Sequence, residues 1–213
     1  LKGRFGVDEV VTTLLLNFIV LLAVSALLDG AMKDPTAMGW PQSVAVQDAL
    51  QLDKLVERSR VHTGLLLALG AALLLWALLR FSLWGYAVRA VGANPRAAGF
   101  AGLPVAGTTV AVALGSGALA GLAGAVEVAG RAGYVTLDMS TGVGYGGIVI
   151  AMLALLHPLA VVAAAVFVAG ILVGADSMSR VVAVPTYIAD VIVAVSLITM
   201  LVATLLTQYR IRR

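Results

Sequence analysis

The sequence predicts an all-α, polytopic membrane protein of about six transmembrane helices, one of them short or broken and rich in glycine. Three observations predict it. Of the 213 residues, 61% are hydrophobic and only 12% are charged, about half the charge with which a water-soluble domain covers its surface. The apolar residues are gathered into runs near the roughly 20 residues that a helix needs to cross a bilayer core. Polar residues and prolines collect between those runs.

The first span runs from about Val10 to Leu28 and carries Asn17 at its middle, an amide that needs a partner on a neighbouring helix in lipid. The polar segment 29–61 follows, and Pro35, Gly39 and Pro41 within "KDPTAMGWPQS" (33–43) predict an ordered, turn-rich loop. A second span covers His62 to about Leu79, with Trp76 and Trp84 placed as an interfacial aromatic belt. The third, from Val105 to about Val126, is glycine-rich. The fourth run, Val143 to Leu156, is short for a crossing unless the segment from Gly142 to Gly147 lies at membrane depth. His157-Pro158 breaks the chain before a fifth span, Leu159 to Ala175, and a sixth runs from about Tyr187 to Leu206. Pairs at small-xxx-small spacing, Gly117 with Gly121 and Gly170 with Gly174, suit close helix packing in lipid.

Orientation follows from lysine and arginine placement near span ends. One side receives Lys2, Arg4, Arg80, Arg89, Arg96, Arg210, Arg212 and Arg213; the other receives Lys33, Lys54, Arg58, Arg60, Arg131 and Arg180. The loop 80–104 and the tail after Leu206 contain no acid, which places both in the cytoplasm, both ends inside and the 29–61 loop outside. The opening at Leu1, within a polar segment, leads to the expectation that the N-terminus is incomplete.

Several chemistries are excluded. The chain has no cysteine, hence no disulfide framework, thiol chemistry or cysteine-based zinc site. "GVGYGG" (142–147) has the G-x-G-x-x-G form, but no strand pattern precedes it and the residue 20 further on is Phe167, not an acid. Its glycines, Gly144, Gly146 and Gly147 among them, are read as shaping a broken or closely packed helix. Ser116 and His157 do not make a hydrolase, because the predicted topology sets them at different depths. Glu127 and Asp190 lie near the outer ends of the third and sixth spans, and Glu127 is spaced to pair with Arg131. No acid or cation site lies at mid-depth to couple transport to an ion gradient, and no G-x-x-x-x-G-K-[ST] loop is present to hydrolyse ATP.

Energy for active transport therefore has to arrive from another subunit. "RAVGANPRAAGFAGLPV" (89–105) has the form of its docking surface: Asn94 as N-cap, Pro95 at the first helical position, Ala97 and Ala98 next, Gly99 and Gly102 at the end. The stretch resembles the cytoplasmic coupling loop of ABC-transporter permeases for simple sugars and nucleosides, a branched-chain-type family. Arg89, Gly92, Asn94, Ala97, Ala98, Gly102 and Val105 match its pattern, while Arg96 stands where the family often has an acid. "GVDEVVTTLLLNFI" (6–19), "KDPTAMGWPQS" and "AVPTYIADVI" (183–192) resemble the nucleoside branch, and the likeness covers essentially all of 1–213 as one permease domain, the C-terminal two-thirds of such a protein.

The resemblance implies a non-catalytic transport subunit of a bacterial inner-membrane importer, working by ATP-driven alternating access. It binds no cofactor itself; ATP and Mg belong to a separate ATP-binding subunit docked on Arg89, Gly92, Asn94, Pro95, Arg96, Ala97, Ala98 and Gly102. A second permease subunit, an extracytoplasmic solute-binding protein at the 29–61 loop, and membrane lipid complete the expected partners, with no nucleic acid. The expected path is shaped by Asn17, Glu127, Gly144, Gly146 and Gly147. The alternative is a secondary, ion-coupled transporter.

Overall fold

The computed structural model describes residues 9–55, 61–140 and 143–182, together with 187–188, 191–192, 194–195, 198–199 and 202. Among them the regular structure is helical, and three isolated bridges are the sole β-type pairings. The helices are α1 (Glu9–Asp29), α2 (Gly64–Phe81), α3 (Leu83–Ala93), α4 (Pro95–Phe100), α5 (Val105–Glu127), α6 (Val143–Leu153) and α7 (Pro158–Val182).

Four stretches are long and apolar enough to cross a bilayer: Val11–Asp29, Gly64–Phe81, Val105–Ala132 and Pro158–Val181. Only 6%, 6%, 0% and 11% of the residues in their most apolar windows are buried inside the chain, so very few of their side chains are covered by protein. Helices that are apolar all round and covered by so little protein are the form a hydrocarbon solvent demands, because every internal backbone group is satisfied within its own segment.

Two spans outrun the expected boundaries. The third ends its α-helix beside Val126, with α5 closing at Glu127, and a π-helical turn, Val128–Ala132, closed by Gly133 at φ 75°, carries it further. The fifth does not stop at Ala175. Ser177 sits within α7 because its hydroxyl donates to the Val173 carbonyl one turn back (2.9 Å), which keeps a polar residue from interrupting the helix. The fourth run is short, as expected, and the glycines at 144, 146 and 147 lie inside a regular eleven-residue helix with no break. It closes on two leucines in the left-handed region, Leu155 (φ 51°) and Leu156 (φ 58°), with the Leu156 N–H donating to the Ala151 carbonyl. That conformation costs an L-residue roughly 1–2 kcal/mol. Most of the expected sixth span, Asp190 and Gly142 lie outside the described residues.

The chain divides into two compact units, one of Leu1–Ala68 with Leu78–Ser140 and the other of Leu69–Ala77 with Thr141–Arg213. In the second, α6 packs on α7, with Val149, Ala154, Ala164 and Val168 buried. In the first, α5 is the common support. Its N-terminal end carries α3 and α4, and the turn beyond its C-terminal end pairs with the loop that follows α1. Ser43 makes the central contact of that pairing. Its N–H donates to the Val135 carbonyl (3.0 Å) and its hydroxyl accepts from the Val135 N–H (2.8 Å). The Val46 N–H reaches the Gly133 carbonyl, and the Leu52 N–H reaches that of Ala129.

Candidate functional site

The site is built where α2 gives way to α3. Ser82 has an extended backbone (ψ 154°), ends α2 and caps α3. Its hydroxyl donates to the Leu78 carbonyl (2.5 Å) and accepts from the Gly85 N–H (2.9 Å), so one side chain satisfies an orphan group on each helix. Gly85 makes the corner possible: a Cβ there would fall inside the van der Waals contact of the Leu78 carbonyl and at 2.5 Å from the Leu79 carbonyl.

α4 is fixed at both ends by local chemistry. Asn94 leaves α3 in the extended region (φ −155°), and its Oδ1 accepts from the N–H groups of Arg96 and Ala97, each at 3.1 Å. Pro95 occupies the first helical position, where its missing N–H costs nothing. At the other end Gly102 takes φ 81°, its N–H bonds to the Gly99 carbonyl, and the Leu103 N–H bonds to that of Ala98 (3.0 Å each). This is a complete Schellman closure, and the left-handed residue it requires is a glycine. The expected N-cap, first-position proline and glycine stop are all present.

Packing then selects what α4 displays. α3, α4 and α5 contact one another pairwise, and each buries one small or medium side chain: Val91, Ala98 and Thr108, at 8%, 4% and 6% exposure. Ala98 therefore faces inward, whereas Asn94, Pro95, Arg96, Ala97, Gly99 and Phe100 are exposed. Phe100 is 94% exposed. Arg96 and Phe100, four apart, share one helix face. Arg89, Gly92 and Gly102 are exposed as well. No acid among the described residues pairs with Arg89 or Arg96, and Arg96 in the first turn of α4 opposes the helix dipole rather than answering it. The surface is a rigid, basic turn with an apolar knob, offered outward.

The residues expected along a path are divided. Asn17, in α1, and Glu127, at the end of α5, belong to the first unit; Gly144, Gly146 and Gly147, in α6, belong to the second. Glu127 pairs with Arg131 at the expected i, i+4 spacing. Both are partly exposed, and such pairs contribute about 0–1 kcal/mol.

At the far end of α5, the loop 30–55 holds a preorganised turn that spacing did not reveal. The Asp34 carboxylate accepts from the hydroxyl (2.6 Å) and N–H (2.8 Å) of Thr36 and from the Gln42 amide (3.3 Å). The Thr36 hydroxyl, then its N–H, hold the Asp34 pKa below the usual carboxylate value. Beyond it the chain reverses through Ala37–Trp40, the Trp40 N–H donating to the Ala37 carbonyl (2.9 Å), with Met38 at φ 48° and Gly39 at φ 92°.

With this geometry in view, comparison with known proteins decides the family. The profile described as "branched-chain amino acid transport system / permease component" matches residues 1–204. The chain belongs to this permease family. Among curated members, it is 34% identical over 197 residues to the guanosine ABC transporter permease protein NupP of Bacillus subtilis, covering 92% of this chain and 57% of that one. It is 30% identical over 221 residues to the glucose ABC transporter permease protein TsgB13 of Haloferax volcanii, covering 99% and 58%. The nucleoside ABC transporter permease protein NupB of Lactococcus lactis is 26% identical, with 84% and 52% covered. The chain thus spans a little over half the length of these permeases. No solved structure matches it. The nucleoside permeases among these relatives fit the resemblance carried by the 6–19, 33–43 and 183–192 stretches.

Proposed function

We propose that the chain is the translocating part of an ABC importer permease for nucleosides or simple sugars, and that a separate ATP-binding subunit drives it through α4. The observation that carries this reading is α4 itself: a six-residue helix closed at both ends, basic and exposed, next to two membrane-length helices of a permease-family chain. A helix this short has little stability of its own. Such thorough capping fits a surface that must hold its shape against a partner.

On this reading ATP and its Mg ion are bound and hydrolysed on the partner. Closure of two such subunits would push on α4 and, through the Ser82 corner and Val105, tilt α2 and α5. Two permease subunits would flank the path, in the bacterial inner membrane with both ends cytoplasmic. A solute-binding protein would deliver its ligand at the 29–61 loop. Asn17, Glu127, Gly144, Gly146 and Gly147 are proposed to shape the path.

The test is accessibility. Ala93→Cys and Ala37→Cys, each in a cysteine-free full-length permease, are labelled with a membrane-impermeant thiol reagent in cells and in inverted vesicles. Position 93 should label only from the cytoplasmic face, and the ATP-binding subunit should shield it. Position 37 should label only from outside. Labelling of 93 from outside, or indifference to the partner, would sink the proposal; uptake in vesicles holding no ATPase would favour an ion-coupled carrier.

A further inference from the structure

The turn at Met38 is strained and its side chain touches nothing. Two successive left-handed residues make a type I′ turn, whose first central position favours asparagine, aspartate or glycine. Methionine stands there instead, at φ 48° and 102% exposed. Trp40, closing the turn, is 64% exposed. Neither folding preference nor packing accounts for a large apolar side chain in that position. Meanwhile the turn is carefully held: Asp34 is bonded by Thr36 and Gln42, the Asp34 N–H donates to the Gln42 carbonyl, and Lys33 and Ser43 bridge below it. Backbone strain in a well-supported loop marks a place where the side chain is needed for something outside the chain.

We propose that the Met38–Trp40 turn is an anchor for a soluble extracytoplasmic protein, Met38 entering an apolar pocket on that partner and a basic rim around the pocket meeting Asp34. The inference rests on the reading of the 29–61 loop as the solute-binding protein's contact. Methionine is flexible and polarizable and suits a pocket that must be entered and left. Tryptophan beside it supplies the kind of buried aromatic that dominates small interfaces. Charge favours a protein over a lipid surface. Across the loop 29–61, five acids (Asp29, Asp34, Asp48, Asp53, Glu57) stand against four bases (Lys33, Lys54, Arg58, Arg60), so the loop lacks the basic excess by which segments are drawn to anionic headgroups.

Met38→Asn separates the two roles of the residue, because asparagine suits the turn and removes the knob. The full-length permease with its ATP-binding subunit, in nanodiscs of neutral lipid, is titrated with the transporter's purified solute-binding protein. Met38→Asn should slow hydrogen exchange at the Trp40 amide by about fivefold, as strain is relieved, yet weaken binding by about tenfold or more. Met38→Leu, keeping the apolar bulk, should bind within about threefold of wild type. Wild type that binds while Met38→Asn binds equally well overturns the anchor and leaves the proposed function standing. Wild type that does not bind at all overturns both. A nitroxide on Ala37→Cys that becomes oxygen-accessible and nickel-shielded in the nanodisc places the tip in lipid and overturns the protein partner.

Discussion

Asn94 is the residue whose loss should be most legible. Asn94→Ala removes one acceptor and orphans two N–H groups, those of Arg96 and Ala97, both bonded to Oδ1 at 3.1 Å. Replacing an N-cap by alanine costs about 1 kcal/mol. In a six-residue helix that figure is a large share of local stability, since nothing comparable to the nucleation cost is recovered along so short a helix. Ala98 is its one buried side chain. A loss of about 1 kcal/mol multiplies the open population roughly fivefold. The assay is amide hydrogen exchange across 96–103 in the full-length permease, read at the Ala101, Gly102 and Leu103 amides that close the helix. Exchange there should quicken by about fivefold, with α1 unchanged. Asn94→Asp should restore protection, because a carboxylate accepts the same bonds and adds a favourable charge at the helix N-terminus. If alanine and aspartate behave alike, or if alanine leaves 96–103 protected, the cap does not hold α4 and the reasoning fails. If α4 docks an ATP-binding subunit as proposed, that subunit's stimulation should fall in step with protection.

Three further outcomes follow from geometry. Gly85→Ala forces a methyl group into the Leu78 and Leu79 carbonyls, so the Ser82 corner must open; transport should fall sharply while α2 retains its helicity by circular dichroism, and retained transport would count against a fixed corner. Gly102→Ala places a side chain at φ 81° with open space around its Cβ, so the penalty is the backbone's alone, ~1–2 kcal/mol, and Gly102→Asn should lose less in the same exchange assay. The hydrogen bonds to Asp34 lower its pKa below the usual value of 3.8. Their support of the 33–43 turn is therefore fully present above that value and is lost as pH falls through the lower folded-state value. Thr36 amide exchange corrected for intrinsic pH dependence should report that loss, and Asp34→Asn should abolish it.

What the sequence made legible was local. Asn94, Pro95 and Gly102 each act within a few residues of themselves, so capping rules suffice to place them, and run length located the four membrane-length stretches found among the described residues. The misreadings came where hydropathy was used as a ruler. Ala175 looks like a span end because polar residues follow it, yet a helix ends where its hydrogen bonding ends: Ser177 bonds back to Val173, and beyond Glu127 a π turn carries the third span on. The pairing of Ser43 with Val135 spans 92 positions and is carried largely by backbone groups. No residue type encodes such a contact. The Ser82–Gly85 corner carried a weak signal, a serine three residues ahead of a glycine between two apolar runs. Met38 carried none, since its interest lies in a dihedral angle.

The helical stretch Val105–Ala132 is, mechanically, a lever. At about 1.5 Å per residue it is roughly 40 Å long. One end is bonded into the α3–α4 turn and the other leads directly into the backbone that grips Ser43, Val46 and Leu52. A rod of that length tilted by about 10° about one end moves the other by about 7 Å. Travel on that scale exceeds the reach of any single hydrogen bond at the far end. Force applied at the basic turn would therefore be felt, as displacement and not as a diffuse softening, by the loop that carries Met38.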